Sequence, residues 1–129
     1  MKVIIAGSRD IGTYWDGGRR IQLKDLTLVN QAVSESCFDI TEVVSGHAKG
    51  VDILGEYYAK ENNLAVSIFL ADWDNLGKRA GALRNIQMGD YADALIAIRL
   101  NQSRGTSHMI NYMQKLGKKV YVMDIVRRN

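Results

Sequence analysis

Proline is absent from all 129 residues, cysteine occurs once, and phenylalanine, tryptophan and histidine occur twice each. The lone Cys37 excludes an internal disulfide, and it reads as a small core residue in a reducing compartment. Two histidines and one cysteine are too few for a transition-metal centre, so neither a metal nor a required cofactor is expected. No stretch approaches the ~20 apolar residues of a membrane-spanning helix. The apolar VIIA after Lys2 gives way at once to GSRD, unlike a secretory leader. These absences predict a cytoplasmic protein with no membrane partner. A large charge of one sign is missing too: 17 Lys+Arg against 14 Asp+Glu leave a net +3. That is too little to argue by itself for nucleic acid, but it suits an anionic ligand.

The chain that remains is 47% hydrophobic, and its length fits a single domain, residues 1–129. Short apolar runs stand at KVIIAG (2–7), TEVVSG (41–46), LAVSIFLA (64–71), ADALIAI (92–98) and KVYVMD (119–124). Each is apolar on both faces, the pattern of strands sandwiched between helices in a parallel sheet. Amphipathic segments separate them: IQLKDLTLVNQAVSES, VDILGEYYAKENN, LGKRAGALRNIQMGDY and GTSHMINYMQKLG. Val51, Leu54 and Tyr58 fall on one helical face, as do Met109, Ile110, Met113 and Leu116. Strand–helix alternation predicts an α/β, Rossmann-like three-layer domain with five parallel strands in the order 3-2-1-4-5. The switch point then lies between the first and fourth strands, where such sheets bind ligands beyond the strand carboxyl ends.

The unusual residues fall where that topology asks for them. GSRD follows the first strand, SGHAKG the second, DWDNLGKRAGALRN the third and NQSRGTSH the fourth. SGHAKGVD and SRGTS each run glycine into a helix start, where unpaired amides and the helix dipole favour an anion. The candidate phosphate ligands are Gly7, Ser8 and Arg9; Ser45, Gly46, Lys49 and Gly50; Arg84 and Asn85; and Ser103, Arg104, Gly105, Thr106 and Ser107. Lys78 and Arg79 stand nearby, either as further cations or as a solvated helix face. Arg9 and Arg84 are the better clamps because a planar fork suits bidentate phosphate recognition, the alternative being ion pairs with Asp10, Asp72 or Asp74. Gly46 and Gly50 either admit a phosphate or close a tight turn, and Ser45 is a ligand or a cap. Asp52, in the first turn of a helix, reads better as a structural residue that complements the dipole or bonds the GSR loop. Trp73 either stacks on a base or packs. Tyr14 and Trp15 are candidates for a lid. Ser8 and Ser45 lack the surroundings of a hydrolase nucleophile.

VIIAGSRD, VVSGHAKGVD, ADWDNLGKRAGALRNIQMGDYADALIAI and SRGTSHMI resemble the SLOG superfamily, and within it the small YspA-related single-domain branch, nearly end to end. GSR followed by SGHAKGVD is similar to the DprA recombination mediators, which bind single-stranded DNA. RNIQM, ADALIAI and RGT are similar to the LONELY GUY phosphoribohydrolases, with the pattern RKxxM, a strand, then PGGxGTxxE. The resemblance implies a Rossmann-like nucleotide-binding domain and a homo-oligomer. Arg84 and Met88 match the hydrolase pattern, but Asn85 replaces its lysine, and Met109 stands where its catalytic Glu belongs. A thioether cannot act as the general acid or base that N-glycosidic cleavage requires. Catalysis would then need Asp72, Asp74 or Asp10, or His108, which is otherwise a phosphate donor or an exposed side chain.

The reading that follows is a protein that binds a nucleotide or nucleotide-derived small molecule through two glycine-rich phosphate loops, as a sensor or a sequestering protein. Alternatives are an N-glycosidase acting on nucleoside monophosphates and a binder of single-stranded DNA, the latter weakened by the modest charge.

Overall fold

The computed structural model describes residues 1–9, 11, 23–100 and 104–125. Its elements run β1 (Lys2–Gly7), α1 (Leu23–Ser36), β2 (Glu42–Ser45), α2 (Val51–Glu61), β3 (Ala65–Ile68), α3 (Trp73–Leu76), a 3-10 turn (Gly77–Arg79), α4 (Ala80–Tyr91), β4 (Ala94–Leu100), α5 (Arg104–Lys115) and β5 (Lys119–Ile125). All strands pair in parallel, in the order β3-β2-β1-β4-β5. The five-stranded parallel α/β sheet expected from the sequence is therefore the architecture of the chain.

Period-two alternation divides the central strands between two cores. Val3 and Ile5 of β1, Val43 of β2, and Ala94, Ile96 and Ile98 of β4 face α1 and α2, meeting Val29, Val51 and Leu54. Ile4, Ala6, Val44, Leu95 and Ala97 face the other way, against Met88 of α4 and Met109, Ile110 and Met113 of α5. Both faces of β1 and β4 are closed, which explains why those segments carry no polar alternation.

The edges behave differently. On β3, Val66 and Ile68 are exposed, and Leu70 just beyond is 70% exposed. An apolar run there reflects an edge position, with a neighbour on one side only, and not a strand covered on both faces. Leu116, expected on the buried face of α5, is also exposed.

One helix end differs from the sequence reading, and another follows its glycine stop. Cys37 is exposed and adopts φ 59° just past α1, so it terminates the helix instead of filling the core. Gly117, at φ 73°, ends α5 in the left-handed conformation that glycine adopts without a Cβ penalty. Lys118 then turns away from its own helix. Its Nζ donates to the Gly89 and Ala92 carbonyls at 2.7 and 2.8 Å, closing the carboxyl end of α4.

Candidate functional site

At the switch point, Ser8 ties three segments together. Its amide donates to the Ile98 carbonyl (3.1 Å) and its Oγ accepts from the Leu100 amide (2.7 Å), joining the carboxyl ends of β1 and β4. Its carbonyl accepts the Val51 amide (3.3 Å), the first residue of α2. This approach is possible because Gly50 sits at φ 85°, and a Cβ there would lie 2.2 Å from the Ser8 carbonyl oxygen. Gly50 thus seats one loop on the other, a packing demand that accounts for it without a ligand.

Asp52 lies beneath these loops, 5% exposed. Its carboxylate Oδ2 accepts the Ala48 amide at 3.3 Å, and the Gly7 amide also holds its charged form. Burial outweighs these bonds and the nearby Arg84, raising its pKa to about 6. The structural reading of Asp52, bonding the GSR loop, describes these contacts.

Arg84 projects from α4, donating from Nη1 to the Gly46 carbonyl (2.8 Å) and from Nε to Asn85 Oδ1 (3.2 Å). Among the described residues, neither bond uses Nη2. Burial lowers the Arg84 pKa, Asp52 opposes that shift, and Arg9 adds to it. Of the aspartates considered as its ion-pair partner from the sequence, neither Asp72 nor Asp74 acts on it among the described residues; the compensating carboxylate is Asp52. Asn85 in turn meets His108 Nδ1 of α5 at 3.3 Å, linking the two helices.

Together these groups surround a cavity of about 330 Å³ lined by Ala6, Gly7, Ser8, Arg9, Ala48, Asp52, Arg84, Asn85, Met88, Leu100, Gly105, Thr106 and Met109. All four stretches that follow the strands contribute, the third through Arg84 and Asn85 of α4. The remaining candidates lie elsewhere. Ser45 is buried and donates to Glu56 Oε2 (2.7 Å) while accepting the His47 amide (3.0 Å). Gly46 contributes its carbonyl to Arg84, while Gly50 seats the loops. Lys49, Arg104, Lys78 and Arg79 are exposed and outside the cavity lining, and Ser107 accepts from Arg99 Nη1 (2.9 Å).

The proposed acids are also outside it. Asp72 caps α3, accepting from Asn75, and Asp74 is exposed. Trp73 is 51% exposed, and its ring lies over Gly81 instead of lining the cavity. Asp10, Tyr14, Trp15 and Ser103 lie outside the described residues.

Sequence reasoning missed the carboxylate–imidazole pair of Glu56 and His47, Nδ1 to Oε2 at 2.8 Å, formed across the start of α2. No spacing rule announces it, because His47 reaches Glu56 from a left-handed backbone conformation at φ 58°. The placement of Asp52 in the cavity wall had a signal: a carboxylate two residues past the glycine that seats the two loops.

Among the described residues, no group of three or more His, Cys, Asp or Glu side chains is arranged to hold a metal ion. No described helix is long and apolar enough to cross a membrane. No family profile matches the chain, and no solved structure matches it. It is 33% identical over 125 aligned residues to the gene 61 protein of Mycobacterium phage D29, an alignment covering 90% of this chain and 90% of that protein. At that identity and coverage, the chain belongs to the same family as the phage gene 61 protein.

Proposed function

We propose that this protein is a SLOG-type domain that binds a nucleotide or nucleotide-derived small molecule, with a phosphate in the cavity between the ends of β1 and β4. The observation that carries the reading is Arg84: half-buried in the cavity wall, held by Gly46 and Asn85, with Nη2 uncommitted among the described residues. A guanidinium fixed in this way loses little freedom on meeting a phosphate. Gly105 and Thr106, at the start of α5, supply the helix terminus on the opposite wall.

Binding without turnover is the favoured form, as a sensor or a sequestering protein. Met109 lines the cavity where the resembling hydrolases carry their catalytic Glu, and Asp72 and Asp74 are absent from its lining. Self-association belongs to the same proposal and is checked by sedimentation. A cytoplasmic location belongs to it as well.

A thermal-shift panel of nucleoside mono-, di- and triphosphates, cyclic and ADP-ribose-derived nucleotides and a short single-stranded oligonucleotide tests the reading. A ligand at one hundred times its dissociation constant adds about 2.7 kcal/mol. A raised midpoint with one small nucleotide supports the proposal. A shift with the oligonucleotide alone replaces it with single-stranded DNA binding, and release of free base from a monophosphate replaces it with N-glycosidase activity.

A further inference from the structure

Among the described residues, Asp52 is the one carboxylate lining the cavity, and its 5% exposure leaves little water to screen it. A ligand phosphate entering here brings a second negative charge to a wall that already carries one. The charged groups around Asp52 are few. Arg84 faces it from α4, with Arg9 of the β1 loop acting on Arg84 in turn. Glu56, one turn along its own helix, adds negative charge while bonded to His47 and Ser45. His108 of α5 touches this wall through Asn85.

Two guanidiniums, Arg84 and Arg9, line the cavity against the buried carboxylate and an incoming phosphomonoester of up to two negative charges, so negative charge is in excess. Among the described residues Arg84 and Asp52 make no direct ion pair, although both border the space over Gly46, where a Cβ would stand 2.9 Å from Arg84 Nη1 and from Asp52 Oδ2. Two anions sharing such a site are relieved most readily when one of them is protonated.

We propose that the cavity binds its phosphate together with one proton, held between the Asp52 carboxyl group and a phosphate oxygen. The inference rests on the phosphate reading of the cavity. It names the ligand chemistry more closely: a terminal phosphomonoester, whose second ionisation lies near pH ~6 and which supplies or shares that proton readily. A phosphodiester has no such proton, and with it the whole uptake falls on Asp52. Burial has already moved Asp52 in the required direction, to a pKa of about 6.

The test is isothermal titration calorimetry of the full chain with ribose 5-phosphate, in buffers of different ionisation enthalpy. At pH above ~7, about one proton should be taken up per ligand bound, and affinity should fall close to tenfold per pH unit. In Asp52→Asn the uptake should drop towards zero and the affinity should become nearly independent of pH. Should that variant fail to fold, the proton count of the unmodified chain decides alone. Binding without proton uptake, or the same uptake in Asp52→Asn, overturns the inference and leaves the phosphate reading standing. Absence of binding at both acidic and neutral pH overturns the phosphate reading, and the inference with it.

Discussion

Arg84 and Asp52 meet over Gly46: a Cβ on that glycine would lie 2.9 Å from both Nη1 of the guanidinium and Oδ2 of the carboxylate. The guanidinium is bound to the Gly46 carbonyl at 2.8 Å, so one residue without a side chain both anchors Arg84 and keeps room for its counter-charge. The opposing charges and the cavity wall are thus built around one backbone position in the β2–α2 loop.

Replacing that position separates binding from stability. Gly46 does not have a positive φ, so Gly46→Ala adds a methyl group without backbone strain but displaces the Arg84 fork. The expected outcome is weakened nucleotide binding with a modest loss of stability. Gly50→Ala has the opposite balance, because φ 85° and a carbonyl oxygen 2.2 Å away oppose any Cβ. It should cost more than the ~1 kcal/mol typical of a strained glycine replacement. Gly117→Ala, with φ 73° but open space around it, should cost less than Gly50→Ala. Urea denaturation of the three variants, beside ligand titration, checks the ordering.

Arg84→Ala should weaken binding of the nucleotide found by the thermal-shift panel by about 1.5–3 kcal/mol, the usual worth of a hydrogen bond to a charged group. It also leaves Asp52 without its counter-charge, so stability near neutral pH should fall as well. Unchanged affinity by calorimetry would remove Arg84 from the site.

Ser8→Ala should destabilise the chain by roughly 1–3 kcal/mol, the penalty for leaving a buried donor unsatisfied. The Leu100 amide loses the Oγ that accepts from it at 2.7 Å, and the ends of β1 and β4 lose a tie across the switch point. Denaturant midpoints of the variant and the unmodified chain give the value. A neutral result would mean that water replaces the hydroxyl.

Asp52 also predicts a pH dependence of folding. Its carboxyl group goes from an ordinary value of 3.8 to about 6 in the folded chain, so the native state holds that proton more tightly. Its contribution to stability is complete below the unfolded value and is lost as pH rises from about 4 towards and through 6. The loss is on the order of 3 kcal/mol. Glu35, Glu42 and Asp124 are shifted down, chiefly by bonds from Tyr121, Tyr91 and Arg99, and act in the opposite sense as pH falls. Because they are common to both chains, comparing Asp52→Asn with the unmodified chain at pH 4 and pH 7 isolates Asp52. The unmodified chain should lose stability relative to the variant over that interval.

Much of the fold was legible because the signal is local. VIIA (3–6) and ALIAI (94–98) are apolar at every step, as befits strands closed by helices on both faces, and β1 and β4 hold the two cores. β3 has the same kind of sequence but lies at the sheet edge, where Ile68 is 48% exposed. An apolar run carries no record of how many neighbours it will receive. The site was legible in a coarser sense, since loops following parallel strands must share one edge. Which of their side chains turn inward was not.

Strand–helix alternation determined the parallel sheet, and with it the edge at which the glycine-bearing loops gather. The tertiary structure alone decided that Arg84 meets Gly46 and that Asp52 forms the cavity wall, while Lys49, Trp73, Asp72 and Asp74 lie outside it. Backbone conformation and hydrophobic period are properties of neighbouring residues. The Arg84–Gly46 bond joins residues 38 apart in the chain, and its geometry exists only once α4 has crossed the sheet and packed on β1.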